Sequence, residues 1–193
     1  MIERPKARQP IPPHAKKVFE GKLFDVYQWE QELFDGSTAT FEKLKRTDTV
    51  VAIPVLPNKK LLLVEDEQPG RDTTISFPGG RVDGEESAEA AVARELLEET
   101  GYEASKLTLW KAVQPVSKVD WALYFFIAYG CKKTAEAHLD AGERIKAREV
   151  TLDELFELMD DPRFVEGELS KELTAARYDS AARAELERTL FGA

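Results

Sequence analysis

The sequence predicts an α/β protein built on one mixed sheet with helices packed against it. Three observations lead there. Apolar runs such as TVVAIPVLP and ALYFFIAYG have strand length and are bounded by turn residues. Charged stretches with helical spacing lie between and after them, the clearest running from Ser87 to Thr100. The two kinds of segment interleave along the chain, which is the order of a sheet flanked by helices.

Taken in order, residues 1–16 are rich in proline and basic side chains and are expected to be extended or loose. In residues 17–46, Phe24, Val26, Gln28 and the run from Phe34 to Phe41 give imperfect period-2 patterning, and Asp35-Gly36 signals a hairpin turn. Two or three antiparallel strands are expected there. TVVAIPVLP reads as a buried strand, Asn58-Lys59-Lys60 as a turn, and KLLLVEDEQ as the next strand. A polar loop over 68–74 leads to TTISFPGG, a short strand running into glycine. Ser87 is suited to cap a helix that ends at Gly101. LTLWKAVQP and ALYFFIAYG follow as strands, with Lys118-Val119-Asp120 between them. After a loop over 134–144, IKAREVTL is a strand, and Thr151 caps a helix from Leu152 to Met159 that Pro162 terminates. Residues 168–190 read as one or two amphipathic helices.

The whole-chain figures exclude several classes. With 42% hydrophobic and 33% charged residues in 193, the chain suits one soluble domain with a sizeable core. Its net charge of −9 repels nucleic acid, so none is expected as a partner. The single cysteine, Cys131, rules out an internal disulfide and reads as a buried thiol at the end of an apolar run. MIERPKARQPIPPH lacks the apolar stretch of a signal peptide. The longest apolar run, WALYFFIAYGC, falls short of the roughly 20 residues that a membrane helix needs. A cytoplasmic protein with no membrane contact is expected.

The Ser87–Thr100 helix carries an electrostatic conflict. On a helical wheel Ala88, Val92 and Leu96 make an apolar stripe. Glu99 falls inside the stripe, Glu95 at its edge and Glu98 next to Glu95. Like charges at these spacings cost roughly 0.2–0.5 kcal/mol per pair on an exposed helix, and partial burial costs more. A hard divalent cation offsets this, because Mg2+ and Mn2+ take oxygen ligands. Arg94 is a second neutraliser, and a solvated acidic face is a third reading.

These acids sit in a longer pattern. Gly80 is followed after five residues by Glu86, and seven residues later come Arg94, Glu95, Leu96, Glu98, Glu99, Gly101 and Tyr102. The spacing resembles the signature of the Nudix hydrolases, with Tyr102 in place of the usual aliphatic residue. The resemblance implies an α/β/α sandwich and Mg2+- or Mn2+-dependent hydrolysis of a nucleoside diphosphate linked to another group. It implies Glu95 and Glu99 as principal metal ligands, Glu98 as a further ligand or a partner of one, and the Gly79 carbonyl as another oxygen. Arg94 would orient a carboxylate, and Glu86 would lie beside the metals or hold the loop.

The flanking segments also resemble that family. Residues 17–46 are similar to the N-terminal β segment of ADP-ribose and nucleoside-diphosphate-sugar pyrophosphatases, which is often exchanged between the subunits of a homodimer. VVAIPVLPNKKLLLVEDEQPGR resembles the family's strand pair leading to a substrate segment. Arg71 is displaced from the usual spacing there and is either a phosphate contact or a surface arginine. Pro115 stands where a proline marks the ADP-ribose group, but Gln114-Pro115-Val116 replaces Ser-Pro-Gly, and FPGG stands where Pro-Ala-Gly is common. The second sugar is therefore left open. LDAGERIKAREVTLDEL resembles the loop whose glutamate assists catalysis, which makes Glu143 the candidate general base, with Glu98 next. Trp29, Tyr27 and Phe41 are candidates for stacking on a base, or for core or dimer packing. Asp120-Trp121 is a candidate for shaping the sugar pocket. Nothing in the sequence puts His14 or His138 near the site.

The expectation is a Mg2+-dependent pyrophosphohydrolase acting on ADP-ribose or a nucleotide sugar, as a homodimer. Its parts are an N-terminal extension over 1–45, a catalytic core over 46–160 and a helical segment over 161–193. A nucleoside triphosphate hydrolase and a non-catalytic Nudix-fold binding module are the alternatives. The acids of the signature are all present, which disfavours the second. The C-terminal residues lack the basic character of a DNA-recognition helix.

Overall fold

A computed structural model describes residues 2–139 and 141–192. β1 (Lys16–Glu20), β2 (Asp25–Glu32) and β3 (Thr38–Lys45) form an antiparallel meander, with β2 and β3 joined through the Asp35-Gly36 turn. β4 (Thr49–Val55) and β5 (Leu61–Glu67) follow, then two short strands, β6 (Thr74–Ser76) and β7 (Gly79–Arg81). After α1 (Ala88–Thr100) come β8 (Tyr102–Glu103), β9 (Lys106–Val113), β10 (Val119–Asp120), β11 (Leu123–Tyr129), β12 (Lys132–Lys133) and β13 (Arg144–Val150). α2 (Leu152–Leu158), a 3-10 turn (Gly167–Leu169), α3 (Ser170–Tyr178) and α4 (Ser180–Phe191) complete the chain.

The central sheet has the order β13-β5-β4-β11-β9, with β6 added to β5 and β7 to β4. β4 and β11 run parallel, and the other pairs are antiparallel. These two central strands are covered on both faces, which is why each reads as an unbroken apolar run. Alternate residues go to opposite sides. Val51, Ile53, Phe125 and Ile127 meet Leu155, Phe156, Leu173, Leu186 and Leu190 from α2, α3 and α4. Val50, Ala52, Phe126 and Ala128 meet Ala91, Val92 and Leu96 of α1. The result is an α/β/α sandwich, as expected, and Cys131 is buried in its α1 side.

Local chemistry sets the ends of α1. The Ser87 hydroxyl accepts the Ala90 N–H at 3.2 Å. Gly101 stops the helix with φ 75°, and a Cβ there would stand 2.1 Å from the Ala135 carbonyl oxygen. Thr151 and Glu154 form a reciprocal capping box at the start of α2.

One expectation needs correction. The strands do not form one sheet. The meander is a separate four-stranded sheet, and β10 joins it parallel to β3, with Val119 opposite Leu44. The two-residue pair of β8 and β12 forms another, too short for periodicity to show. The described residues before β1 form no helix or strand, within the expectation of an extended or loose segment, and they are tied to the core. The Arg4 guanidinium donates to both Asp48 oxygens at 2.7 and 2.8 Å and to Asp120 at 2.9 Å. The Gln114 amide donates to the Pro5 carbonyl at 2.8 Å, and the buried Lys43 ammonium to the Gln9 carbonyl at 2.5 Å. These partners are remote in sequence, so no local pattern reveals them.

Candidate active site

The site forms where β7 meets α1. β7 pairs with β4, setting Gly79 opposite Val51 and Gly80 opposite Val50. A Cβ on Gly80 would stand 2.4 Å from the Glu95 carboxylate, so glycine is what lets that acid lie against the strand. The Gly79 N–H donates to Glu99 Oε2 at 2.9 Å.

Arg94 gathers Glu95 and Glu98 of the helix with Glu86 of the loop before it. Its Nη1 donates to Glu95 Oε1 at 2.9 Å and Glu98 Oε2 at 3.0 Å. Its Nη2 donates to Glu86 Oε1 at 2.7 Å and to the Arg81 carbonyl at 2.9 Å. Glu86 also accepts the Asp83 N–H at 2.7 Å, so it ties the glycine loop to the helix. The Arg94 hydrogen bonds hold Glu86 below the usual carboxylate range.

Two of the three readings of the acidic helix fail at Glu99. It is not on a solvated face: Glu95 and Glu99 are partly buried, and the Glu95 side chain is only 14% exposed against 45% for Glu98. Nor does Arg94 neutralise it, since the described ion pairs of Arg94 are with Asp83, Glu86, Glu95 and Glu98. Burial pushes Glu99 up to about 8. The Gly79 N–H works against that shift, and the charges of Glu95, Glu143 and Asp66 add to it. Glu95 is also raised by burial, partly offset by Arg94.

These residues line a cleft of about 570 Å³. Glu143 is there, and its Oε1 accepts a long bond from Gln68 Nε2 at 3.5 Å. Arg71 lines the cleft too and is bonded to the Asp66 carboxylate. Tyr27, Trp29, Phe41 and Pro115 do not line it. Trp29 is buried, its indole bonded to Gln31 at 3.2 Å and its ring 6.1 Å from that of Phe41. Pro115 lies half-buried beside Gln114. Asp120 is bonded to Arg4, and the Trp121 indole donates to Thr49 at 3.0 Å. Among the described residues no three His, Cys, Asp or Glu side chains converge as a ready metal-ligand set. Arg94 holds Glu95 and Glu98 to itself.

The sequence reading missed several residues of the cleft. Arg46, Arg81, Asp66 and His138 all line it. The placement of His138 corrects the sequence reading, and its cause is a backbone bond: the His138 N–H donates to the Glu98 carbonyl at 2.7 Å, drawing the loop onto α1. Arg46 is held by aromatic faces, its guanidinium 4.7 Å from the Trp121 ring and 5.8 Å from that of Phe24. Its Nε is buried with no hydrogen-bond partner. Burial and the charge of Arg81 lower its pKa. A lone arginine ahead of a strand carries no local signal of such a role.

Comparison with known proteins places this geometry in context. The family model of the NUDIX domain matches residues 45–172. The ADP-ribose pyrophosphatase of Bacillus subtilis (strain 168) is 30% identical over 148 residues, covering 75% of this chain and 80% of that protein. The methanol dehydrogenase activator of Bacillus methanolicus is 28% identical over 168 residues, covering 85% and 89%. A crystal structure of an ADP compounds hydrolase superimposes with a TM-score of 0.73 at 22% identity, covering 98% of this chain and 100% of that one, a likeness of fold. No described helix is long and apolar enough to cross a membrane.

Proposed function

Because the chain belongs to the NUDIX domain family and is a Nudix hydrolase, we propose that it is a Mg2+- or Mn2+-dependent pyrophosphohydrolase of ADP-ribose or a nucleotide sugar. Water attacks one phosphorus, and the products are a nucleoside monophosphate and a sugar phosphate. One observation carries this reading. A single cleft contains a desolvated acid that no described cation neutralises, Glu99, and an arginine that no described acid neutralises, Arg46. An anionic diphosphate lying between a cation at Glu99 and the Arg46 guanidinium satisfies both. The name of the Bacillus subtilis relative, an ADP-ribose pyrophosphatase, points to the same substrate class.

The donor set suits a hard divalent cation. Glu95, Glu99 and the Gly79 carbonyl would hold it, with Glu98 as a further ligand or a partner of one. When bound, such an ion neutralises phosphate oxygens and acidifies an attacking water. Arg94 orients Glu95 and Glu98, and Glu86 holds the loop. Glu143 takes the proton from the water, and Arg46 and Arg71 hold the diphosphate. Tyr27 and Phe41 lie outside the cleft of their own chain, so a base-stacking role for them belongs to the pocket of a second subunit, whereas the buried Trp29 serves packing against Phe41. Exposed Val18, Phe19 and Phe34 on the N-terminal sheet favour such a homodimer. Asp120 and Trp121 act from behind, Asp120 through Arg4 and Trp121 through Arg46, and Pro115 shapes the strand turn beside them. The cytoplasm is the compartment we assign.

A panel of ADP-ribose, nucleotide sugars, dinucleotides and triphosphates tests the substrate. With Mg2+, the best diphosphate should exceed every triphosphate in kcat/KM by at least about tenfold, roughly 1.4 kcal/mol of transition-state stabilisation. A triphosphate hydrolysed best, with release of pyrophosphate, would overturn the substrate class.

A further inference from the structure

Outside the acidic cluster, one buried carboxylate has no role in the chemistry described so far. Glu166 is 8% exposed, and burial pushes it up to about 7, opposed by the N–H of Phe77. That N–H donates to Glu166 Oε1 at 2.7 Å, across 89 residues of sequence. The segment before Glu166 lies along the central sheet beside β6. The Ile75 N–H donates to the Arg163 carbonyl at 2.8 Å, the Val165 N–H returns to the Ile75 carbonyl at 3.0 Å, and Phe164 bridges Ile75 in parallel. Val165 itself lines the active cleft. Glu166 thus extends a short parallel pairing by one bond, made with a side chain in place of a backbone carbonyl.

That bond falls just ahead of the glycines. Phe77 is buried in the core, and the next carbonyl, Pro78, accepts the Ala52 N–H at 2.8 Å. Gly79 then donates to Glu99. Burying a carboxylate is costly, and the hydrogen bond from the Phe77 N–H is what offsets that cost here. We propose that Glu166 is a positioning residue: by holding Phe77 it sets the Pro78–Gly79 peptide against Glu99, and so links the C-terminal helices to the metal-binding end of the cleft. The inference rests on the function proposed above for its metal and substrate, but the backbone link stands apart from it.

Reach and charge separate in two variants. Glu166→Gln keeps the length and an acceptor oxygen. Glu166→Asp keeps the charge and draws the acceptor back by one methylene. Three readouts apply to the full chain: amide hydrogen exchange at Phe77 and Gly79 without metal, Mn2+ binding by electron paramagnetic resonance, and kcat and KM for ADP-ribose. Glu166→Asp should lose protection at both amides and bind Mn2+ about tenfold more weakly, the usual effect of losing a bond that supports a ligand. Its kcat should fall with KM nearly unchanged, while Glu166→Gln should match the parent in all three. Loss in Glu166→Gln with retention in Glu166→Asp would overturn the proposal, as would parental exchange and Mn2+ binding in both. Glu166→Ala should behave as Glu166→Asp. If it does not fold, the Asp variant, which leaves most of the side-chain volume in place, decides. If the parent turns over neither ADP-ribose nor a nucleotide sugar, the substrate reading fails, and exchange and Mn2+ binding still decide the role of Glu166.

Discussion

Glu99 is a carboxylate held where water stabilises it poorly, and its neighbours determine what it can do. Its folded pKa of about 8 lies above the ordinary 4.5, so the folded protein binds this proton more tightly than the unfolded chain. In metal-free buffer that contribution to stability is complete below the ordinary value and is lost as pH rises toward 8. Glu99→Gln removes the penalty. With EDTA, its melting temperature should fall less steeply than that of the parent from about pH 5 to 8, and be higher by roughly 2–4 °C at the alkaline end. With Mg2+, its kcat should fall by roughly 100-fold. Coincident melting profiles with parental kcat would remove Glu99 from the metal site. Glu143 and Arg46 are distinguished by kinetics. As a base, Glu143→Gln should lower kcat by about 100-fold with little change in KM. As a ground-state anion contact, Arg46→Ala should raise KM by about tenfold with a smaller change in kcat. A raised KM with parental kcat in Glu143→Gln would remove it as the base, and a parental KM in Arg46→Ala would remove it as the anion contact.

At the scale of elements, β7 and α1 act as one device. The two glycines of β7 look alike in sequence but meet different neighbours. A Cβ on Gly79 would stand 2.2 Å from the Val50 carbonyl oxygen, which is fixed backbone, whereas a Cβ on Gly80 meets the movable end of Glu95. Gly79→Ala should therefore cost stability, about 1–3 kcal/mol as overpacking does. Gly80→Ala should melt near the parent, yet raise the Mg2+ concentration needed for half-maximal rate, because Glu95 is displaced. Thermal melts and a Mg2+ titration check both, and a parental Mg2+ requirement in Gly80→Ala would separate Glu95 from metal binding. The bounds of α1 were legible because Ser87 and Gly101 are local signals. β8, β12 and the parallel pairing of β10 with β3 were not, because two-residue strands are formed by partners remote in sequence.

At the scale of the whole molecule, the N-terminal sheet exposes large apolar side chains. Phe19 is 58% exposed and Phe34 fully so, on a meander that as an isolated unit would be marginal in water. A second subunit against this sheet would bury them. Deleting residues 1–45 should leave a monomer or an insoluble protein with a raised KM, seen by light scattering and steady-state kinetics. The deletion also removes Arg4, which clamps Asp48 and Asp120, and Leu23, which lines the cleft. A soluble monomer with parental KM would refute the shared pocket.

The amino-acid sequence by itself determined the central strands, the capped helix and the place of Gly79, Arg94, Glu95, Glu98 and Glu99 on them. Each depends on neighbours within a few residues, through an unbroken apolar run, a cap or helical spacing. It could not determine which charges meet. Arg46 lies between Phe24 and Trp121, Arg4 reaches Asp120 and Glu166 reaches Phe77 only because the sheets bring distant segments together. The choice among readings of the acidic helix was also tertiary. Glu95, Glu98 and Glu99 share a charge and one helix, but only packing against β7 buried Glu99 away from both water and Arg94. The strength of an electrostatic interaction depends on distance and burial, and neither can be read from spacing along one chain.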